Sequence, residues 1–278
     1  MSRRSYSSMA RFYGVSGPIF GVACLGEAST STLEVPSHRI IYCGGGGSSK
    51  TGVGNAIVAA DLDESGLLEL CKLDTGDELC SGVQVFRGCA VLVAVFGKSF
   101  RLCALVSLAP GMIAGPRESS IVVVSEDYVA DFKDCDPSIN CVTVLDEQAG
   151  ELIATGGEDG VPRIWVVERR GGAIAACAAP RFACVLATTC GGGHGAPVTD
   201  CAFSPSGHLL ATSSKDGTCK VWSVGTGALL CVANAANAMP PPPASRHIKQ
   251  RRNLNANKII VRGCKFVGDS ALLSAQRR

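Results

Sequence analysis

Two stretches of this chain repeat one another: Leu152-Ile-Ala-Thr-Gly-Gly-Glu-Asp-Gly160-Val-Pro-Arg-Ile-Trp165 and Leu210-Ala-Thr-Ser-Ser-Lys-Asp-Gly217-Thr-Cys-Lys-Val-Trp222. Asp159 and Asp216 stand 57 residues apart, and so do Trp165 and Trp222. Each stretch reads as an apolar strand, an Asp-Gly hairpin turn and a second strand ending in tryptophan, with a glycine that tolerates the positive φ of a tight turn. The chain of 278 residues contains 33 glycines, and no Gly-X-Y register accompanies them. The excess therefore sits in turns, and many tight turns mean many short strands. A length near 280 admits two ordinary domains or one repetitive architecture. The internal repeat selects the second.

The pattern extends around the second copy, where Gly193-His194 precedes the strand Val198 to Phe203, followed by Ser204-Pro-Ser-Gly207 and then the strand pair. This arrangement resembles the WD40 repeat. In that family His, Ser or Thr, Asp and Trp form a buried hydrogen-bond chain that ties the strands of a blade. The resemblance assigns those places to His194, Thr212, Asp216 and Trp222, which makes His194 a satisfied core histidine and not a catalytic one. The first copy lacks an upstream Gly-His and carries Pro162 beside its hairpin, so its chain is expected to be incomplete. The fold class is all-β, a WD40-type β-propeller. Its blades are expected over strands 17–25, 39–44, 56–62 and 66–73; 83–89, 91–96, 99–106 and 119–125; 138–146, 151–157, 161–167 and 182–188; and 198–203, 208–214, 218–224 and 228–233. Strands 258–266 and 270–275 start a fifth. The organisation is an N-terminal extension over 1–16 and an incomplete propeller over 17–278, interrupted by a Pro-rich, basic loop over 235–257. About four and a half blades, with an open sheet edge at the last, point to a fragment or a truncated gene product, and the WD40 resemblance implies a seven-bladed parent.

Composition removes several alternatives. Hydrophobic residues make up 46% of the chain and charged residues 18%, enough to build a core and too apolar for a disordered tail. The 15 cysteines include no Cys-x-x-Cys, and the four histidines have no metal-ligand spacing, so zinc modules are excluded. Cys24, Cys89, Cys103 and Cys201 lie in apolar runs, where a thiol is a small hydrophobe of a reducing, cytosol-facing compartment. Residues 217–278 carry ten Lys or Arg against one acid, Asp269. Arg246, Lys249, Arg251 and Arg252 follow the run Pro240 to Pro243, which reads as a solvated extended loop or as a contact for nucleic acid or an acidic membrane. Met1 to Phe12 is basic and serine-rich, but no cleavage-type site separates it from the strand that follows. The apolar run 88–97 ends at Lys98, short of the ~20 residues of a membrane span.

The most unusual stretch is Cys43-Gly-Gly-Gly-Gly47-Ser-Ser-Lys50-Thr-Gly-Val-Gly54-Asn55-Ala56. As a Walker A phosphate loop it fails, because Ser49 precedes Lys50 where glycine is needed and a strand-like Ala56 to Asp61 follows in place of a helix. As a plain Gly/Ser hairpin it would be flexible. A third reading comes from resemblance. The strand Pro18-Ile-Phe-Gly-Val-Ala23, the apolar strand running into four glycines, the closing Gly-Val-Gly-Asn55 and the later Arg262-Gly-Cys-Lys-Phe266 are similar to the endoplasmic-reticulum exchange factors of the COPII small GTPase, the prolactin regulatory element-binding protein family.

That resemblance implies guanine nucleotide exchange, with no bond chemistry and so no enzyme in the strict sense. It implies a potassium ion held by main-chain oxygens of Gly44, Gly45, Gly46, Gly47, Ser48, Gly52 and Asn55, with Asn55 needed for exchange. The chemistry is consistent, since glycines let carbonyls converge on a hard cation at small steric cost and no carboxylate demands a divalent metal. It also implies the small GTPase of the COPII coat as partner and the cytosolic face of the endoplasmic-reticulum membrane as location, anchored by a C-terminal helix that this chain does not contain. Two other functions stay open: a WD40 interaction scaffold without exchange activity, and a nucleic-acid binder using the basic 246–265 segment, which has no aromatic platform before Phe266. Ser48 and Ser49 have no neighbouring His and acid, and Glu126-Asp127 and Glu158-Asp159 read as turn residues, against a hydrolase.

Overall fold

The computed structural model describes residues 17–28, 37–46, 53–63, 66–86, 90–107, 119–147, 150–170, 181–234, 260–269 and 271–277. Short antiparallel strands follow one another, and consecutive strands pair within each of five sheets. β1 (Ile19–Ala28), β2 (Ser37–Gly44), β3 (Asn55–Leu62) and β4 (Leu67–Gly76) form the first four-stranded sheet in that order. β5 (Cys80–Phe86), β6 (Val91–Phe96), β7 (Ser99–Ser107) and β8 (Ser119–Val123) form the second, with β9 (Tyr128–Val129) also paired to β7. The third holds β10 (Ile139–Glu147), β11 (Gly150–Gly157), β12 (Arg163–Arg170) and β13 (Arg181–Thr189). The fourth holds β14 (Val198–Phe203), β15 (Leu209–Ser214), β16 (Thr218–Ser223) and β17 (Leu229–Asn234), and β18 (Ile260–Val267) with β19 (Ala271–Arg277) form a two-stranded sheet. The described residues thus form four complete blades and half of a fifth of an all-β, WD40-type propeller.

The first strand of each blade faces the axis. β1, β5, β10 and β14 together line a cavity of about 250 Å³ through Phe20, Val22, Ser81, Gln84, Asn140 and Thr199. Blades are joined there by polar contacts that cross from one inner strand to the next. Asn140 Nδ2 donates to Val198 O at 3.0 Å, Thr199 Oγ1 donates to Val261 O at 2.5 Å, and Cys264 N donates to Asp200 Oδ2 at 3.0 Å.

The core lies between blades. Ile41, Cys43, Ile57 and Ala59 of the first meet Val83, Leu92 and Ala94 of the second. Between the second and third, Phe100 stacks edge-on against Trp165 with ring centres 5.2 Å apart and lies 5.4 Å from Tyr128. Between the third and fourth, Ala154 and Ile164 pack on Cys201, Leu210 and Trp222. This sandwiching explains the sequence of β6, Val-Leu-Val-Ala-Val-Phe, in which every residue is buried: alternate side chains serve two different interfaces. In β17, the outermost strand of its blade, all six residues are exposed.

The structure adjusts several expected boundaries. The outer strand of the second blade ends at Val123, and the chain returns to β7 at β9, a pairing the apolar pattern did not announce. β12 begins at Arg163 and not at 161, because Pro162 has no N–H to give a ladder. None of the described cysteines forms a disulfide, and most are buried; burial pushes the thiols of Cys184 and Cys190 up to about 12. Cys24 departs from the expectation and is exposed, while Cys89 lies outside the described residues. So do the extension 1–16 and the Pro-rich, basic loop 235–257.

Phe100 is completely buried between two blades, whereas Val232 is 49% exposed on β17. Phe100→Ala is expected to lower unfolding free energy by ~3–5 kcal/mol, while Val232→Ala changes it by less than ~0.5 kcal/mol. Urea denaturation followed by tryptophan fluorescence measures both.

Candidate functional site

The antiparallel order puts one set of connections at one end of the propeller. These are the links β2–β3, β6–β7, β11–β12 and β15–β16, together with the segments that lead into β5, β10 and β14. Contacts between them confirm the common face: Ile139 N donates to Gly97 O at 2.7 Å, Glu158 N to Ser138 O at 3.0 Å, and Glu158 carries Lys133 and Lys215 at 3.1 and 3.2 Å. The glycine-rich stretch leaves and re-enters on this face. The chain between Asn234 and Ile260, with Arg246, Lys249, Arg251 and Arg252, also departs from and returns to it, but lies outside the described residues.

Of the predicted loop residues, Gly44, Gly45, Gly46 and Asn55 are described; Gly47, Ser48 and Gly52 lie outside the described residues. The described part is a narrow neck. Gly45 N donates to Pro18 O and Gly46 N to Val53 O, both at 3.2 Å. Glycine is required twice for close approach: a Cβ on Gly44 would collide with Pro18 O, and one on Gly45, whose φ is +144°, would stand 2.6 Å from Asn55 Cα. Asn55 itself is fully buried, and its Nδ2 donates to Gly76 O at 2.9 Å, tying the neck to the end of β4. Its side chain therefore acts on the hairpin from beneath. Beside the neck, Pro18, Tyr42, Gly44, Gly45, Val53 and Gly54 line a cavity of about 280 Å³.

The structure brings His194, Thr212, Asp216 and Trp222 together in the fourth blade. Trp222 Nε1 donates to Thr212 Oγ1 at 2.8 Å, Thr212 Oγ1 lies 2.8 Å from His194 Nε2, and His194 Nδ1 lies 3.1 Å from Asp216 Oδ2. The bonds run in one direction if His194 carries its proton on Nδ1: tryptophan to threonine, threonine to histidine, histidine to carboxylate. Burial disfavours the imidazolium and lowers the His194 pKa, against the upward pull of Asp216. Burial works against the Asp216 carboxylate too, but donors from Thr218 and from Gly195 N outweigh it and hold the acid below its ordinary range. Thr218 was missed by sequence reasoning, because its role depends on the turn geometry that places it over Asp216.

The third blade keeps half of this chain and replaces the other half. Trp165 Nε1 donates to Thr155 Oγ1 at 3.0 Å, as in its counterpart. Asp159 has no histidine to receive and instead pairs with buried Arg163 at 2.7 Å, while accepting from Val161 N and Phe132 N at 2.9 and 3.2 Å. Arg163 Nη1 donates to Ala130 O at 2.8 Å and to Val161 O at 3.1 Å. Asp131, also buried, accepts from Asp159 N and Lys133 N, both at 3.0 Å. Asp131 and Arg163 carried no recognisable spacing; the only signal was the absence of the histidine that would otherwise have occupied the place.

Two outcomes follow. Gly45→Ala is expected to cost ~1–3 kcal/mol through strain at the neck, whereas Gly54→Ala, with nothing within 4 Å of an added Cβ, stays near neutral in thermal melting. Because His194 is held below its free value of 6.5, its neutral form is the one that folding favours. That stability is complete above the unfolded pKa and is lost as pH falls below about 6.5 through the folded value. The melting temperature should drop between pH 7 and pH 5, and His194→Gln, less stable at pH 7, should show a smaller drop over the same range.

Comparison with known proteins agrees with this geometry at the level of fold. Residues 184–223 match the family described as WD domain, G-beta repeat, and they contain all four residues of the hydrogen-bond chain. Comparison with curated protein sequences gives no match. Among solved structures, the chain is similar to Sqt1 from Chaetomium thermophilum, with a TM-score of 0.52 and 18% identity over 76% of this chain and 45% of that one. A structure of Sqt1 from the same organism bound to the N-terminus of the ribosomal protein L10 gives a TM-score of 0.49 and 19% identity over 77% of this chain and 47% of that one. The chain spans under half the length of these structures. It carries a WD40 repeat and has the propeller fold that surrounds it.

Proposed function

We propose that this chain is a protein-docking propeller whose glycine hairpin promotes GDP release from the small GTPase that initiates the COPII coat. The observation that carries the reading is the neck, where Gly44 and Gly45 are clamped between Pro18 and Asn55 at the face where the blade connections gather. A run of four glycines issuing from so fixed a base is what the resemblance to the endoplasmic-reticulum exchange factors leads one to expect.

Such a factor makes and breaks no covalent bond. It binds the nucleotide-free GTPase more tightly than the loaded one, and reciprocity of linkage then weakens nucleotide binding by the same factor. The propeller contributes a rigid platform and the hairpin a projection able to displace elements around the phosphates. Asn55 serves as a positioning residue, since its buried amide sets the neck. The resemblance also brings a potassium ion on main-chain oxygens from Gly44 to Ser48 and at Gly52 and Asn55. The described part of that set fits: the main chains of the two arms stand close together, and the glycines keep side chains away. Bound there, the ion would stiffen the hairpin. Among the described residues no helix is long and apolar enough to cross a membrane; attachment to the endoplasmic reticulum is carried by the same resemblance.

Release of fluorescent GDP from the GTPase tests the reading. The chain should accelerate release; Asn55→Ala should reduce the acceleration at least tenfold, by about the cost of one lost positioning contact, with melting recorded alongside. Replacing potassium by choline should also slow it. A folded chain that leaves GDP release unchanged would remove exchange and leave a docking platform.

A further inference from the structure

Folding ordinarily hides phenylalanine, yet Phe132 is 61% exposed at the same face, on the segment leading into β10. It is not exposed for want of structure. Its own N–H is bound by Asp159, the neighbouring Ala130 N and Asp131 N both donate to Lys98 O at 2.9 and 3.2 Å, and Lys133 N is bound by Asp131. Beneath the ring, at 4.8 Å from its centre, lies the Arg163 guanidinium, itself buried and paired with Asp159. The replacement network of the third blade thus holds an aromatic ring rigidly toward solvent. A side chain ordered in advance loses little freedom on binding, and aromatic anchors of this kind dominate interface energetics.

The surroundings state the chemistry of what would dock. Leu79 and Val129 are exposed as well, and they are linked through Arg101, which holds Glu78 at 2.9 Å and Asp127 at 2.7 Å. Around them stand exposed Asp77, Glu126, Asp134 and Asp136. The nearby cations are already committed: Arg101 to Glu78 and Asp127, Lys133 and Lys215 to Glu158, and Arg163 to Asp159. Lys98, exposed, adds one positive charge to the face. The rim remains acidic around an apolar centre.

We propose that Phe132, Val129 and Leu79, with the acids around them, form a docking surface for a basic segment of a partner protein, in which an aliphatic or aromatic side chain seats on Phe132 and Lys or Arg residues meet the rim. Complementary charge selects such a partner and repels acidic ones. A second copy of this chain is disfavoured, because a two-fold contact would set the same acidic rim against itself. The surface lies on the face that carries the glycine hairpin but uses other residues, so it does not rest on nucleotide exchange.

Fluorescence anisotropy with labelled synthetic peptides tests it on the full chain. The probes are a peptide of Lys, Leu and Ser, the same peptide with Glu for Lys, and the same with Ser for Leu. The first should bind and the other two should not, and affinity should fall as salt rises. Phe132→Ala, and separately Asp134→Lys with Asp136→Lys, should each weaken binding about tenfold, while Leu230→Ala on β17 leaves it unchanged. The charge-reversed variant leaves the Arg163 network intact and keeps the test independent of any folding defect in Phe132→Ala. Equal binding by both variants, or equal binding of the Glu peptide, would overturn the proposal. So would a dimer in sedimentation that Phe132→Ala dissolves, or peptide binding that arises only after Arg246, Lys249, Arg251 and Arg252 are all changed to Ser, which would assign the surface to the chain's own basic tract.

Discussion

A four-stranded twisted sheet with apolar side chains on both faces has no second layer of its own, and the burial of each blade therefore depends on its neighbours. The strand β6 shows the constraint in its strongest form: Val91 to Phe96 are all buried, with Val91, Val93 and Val95 turned to one neighbouring blade and Leu92, Ala94 and Phe96 to the other. Burying a side chain of this size is worth ~1.5–3 kcal/mol, and no strand inside an isolated blade could collect that from both faces. Stability is then a property of contacts between repeats more than of any repeat alone. The same constraint explains why the polar ties cross between blades. Asn140 reaches Val198 O, Thr199 reaches Val261 O, and Glu158 gathers Lys133 and Lys215.

Where sheets pack only through their flanks, the turns at their ends need a separate means of being held. The fourth blade uses a line of four side chains from Trp222 to Asp216, all inside one blade. The third blade keeps the tryptophan–threonine half and gives its aspartate to an arginine. The two solutions differ in what they do to neighbouring chain. His194, with no side-chain exposure, looks inward and closes its own turn. Arg163 reaches outward to Ala130 O and under Phe132, so it orders a segment that belongs to no strand. Where the third blade has no histidine for its aspartate, Arg163 at the start of β12 takes the carboxylate, and the internal clasp of the fourth blade gives way to a support for the surface.

This difference marks what could be read from residues alone. Most strands were legible, in the third and fourth blades because an Asp-Gly turn and a tryptophan recur 57 residues apart and elsewhere because apolar runs are bounded by turn residues. The four residues of the hydrogen-bond chain were legible because His194 and Asp216 stand at recognisable distances from Trp222. The arginine network was not. Asp131 lies 28 residues from Asp159, and nothing in either neighbourhood signals that they meet. β9 was missed for a related reason, since two residues are too few for any period to show. The glycine stretch was legible only as unusual. That Gly44 and Gly45 are needed for close approach to Pro18 and Asn55 depends on packing between strands, which spacing does not encode. The burial of Asn55 was hidden in the same way, and it puts that side chain at the foundation of the hairpin, where its amide ties the neck to Gly76.

A hairpin neck and an aromatic anchor that are both rigid, on one face, constrain how such a face can work. Affinity between proteins is limited as much by the freedom lost on association as by the attractions formed across the interface. Phe132 has lost that freedom already, through hydrogen bonds on either side of it and a guanidinium beneath. The neck is equally settled, with Gly45 and Gly46 bound across it and Asn55 anchoring it to Gly76. Two preset contact points at separate places on a stiff scaffold favour partners whose own geometry matches their spacing and orientation. Such a face discriminates by shape, and the acidic rim adds a second discrimination by charge. The propeller provides this not through any single blade but because each blade, by needing its neighbours, fixes their connections relative to one another.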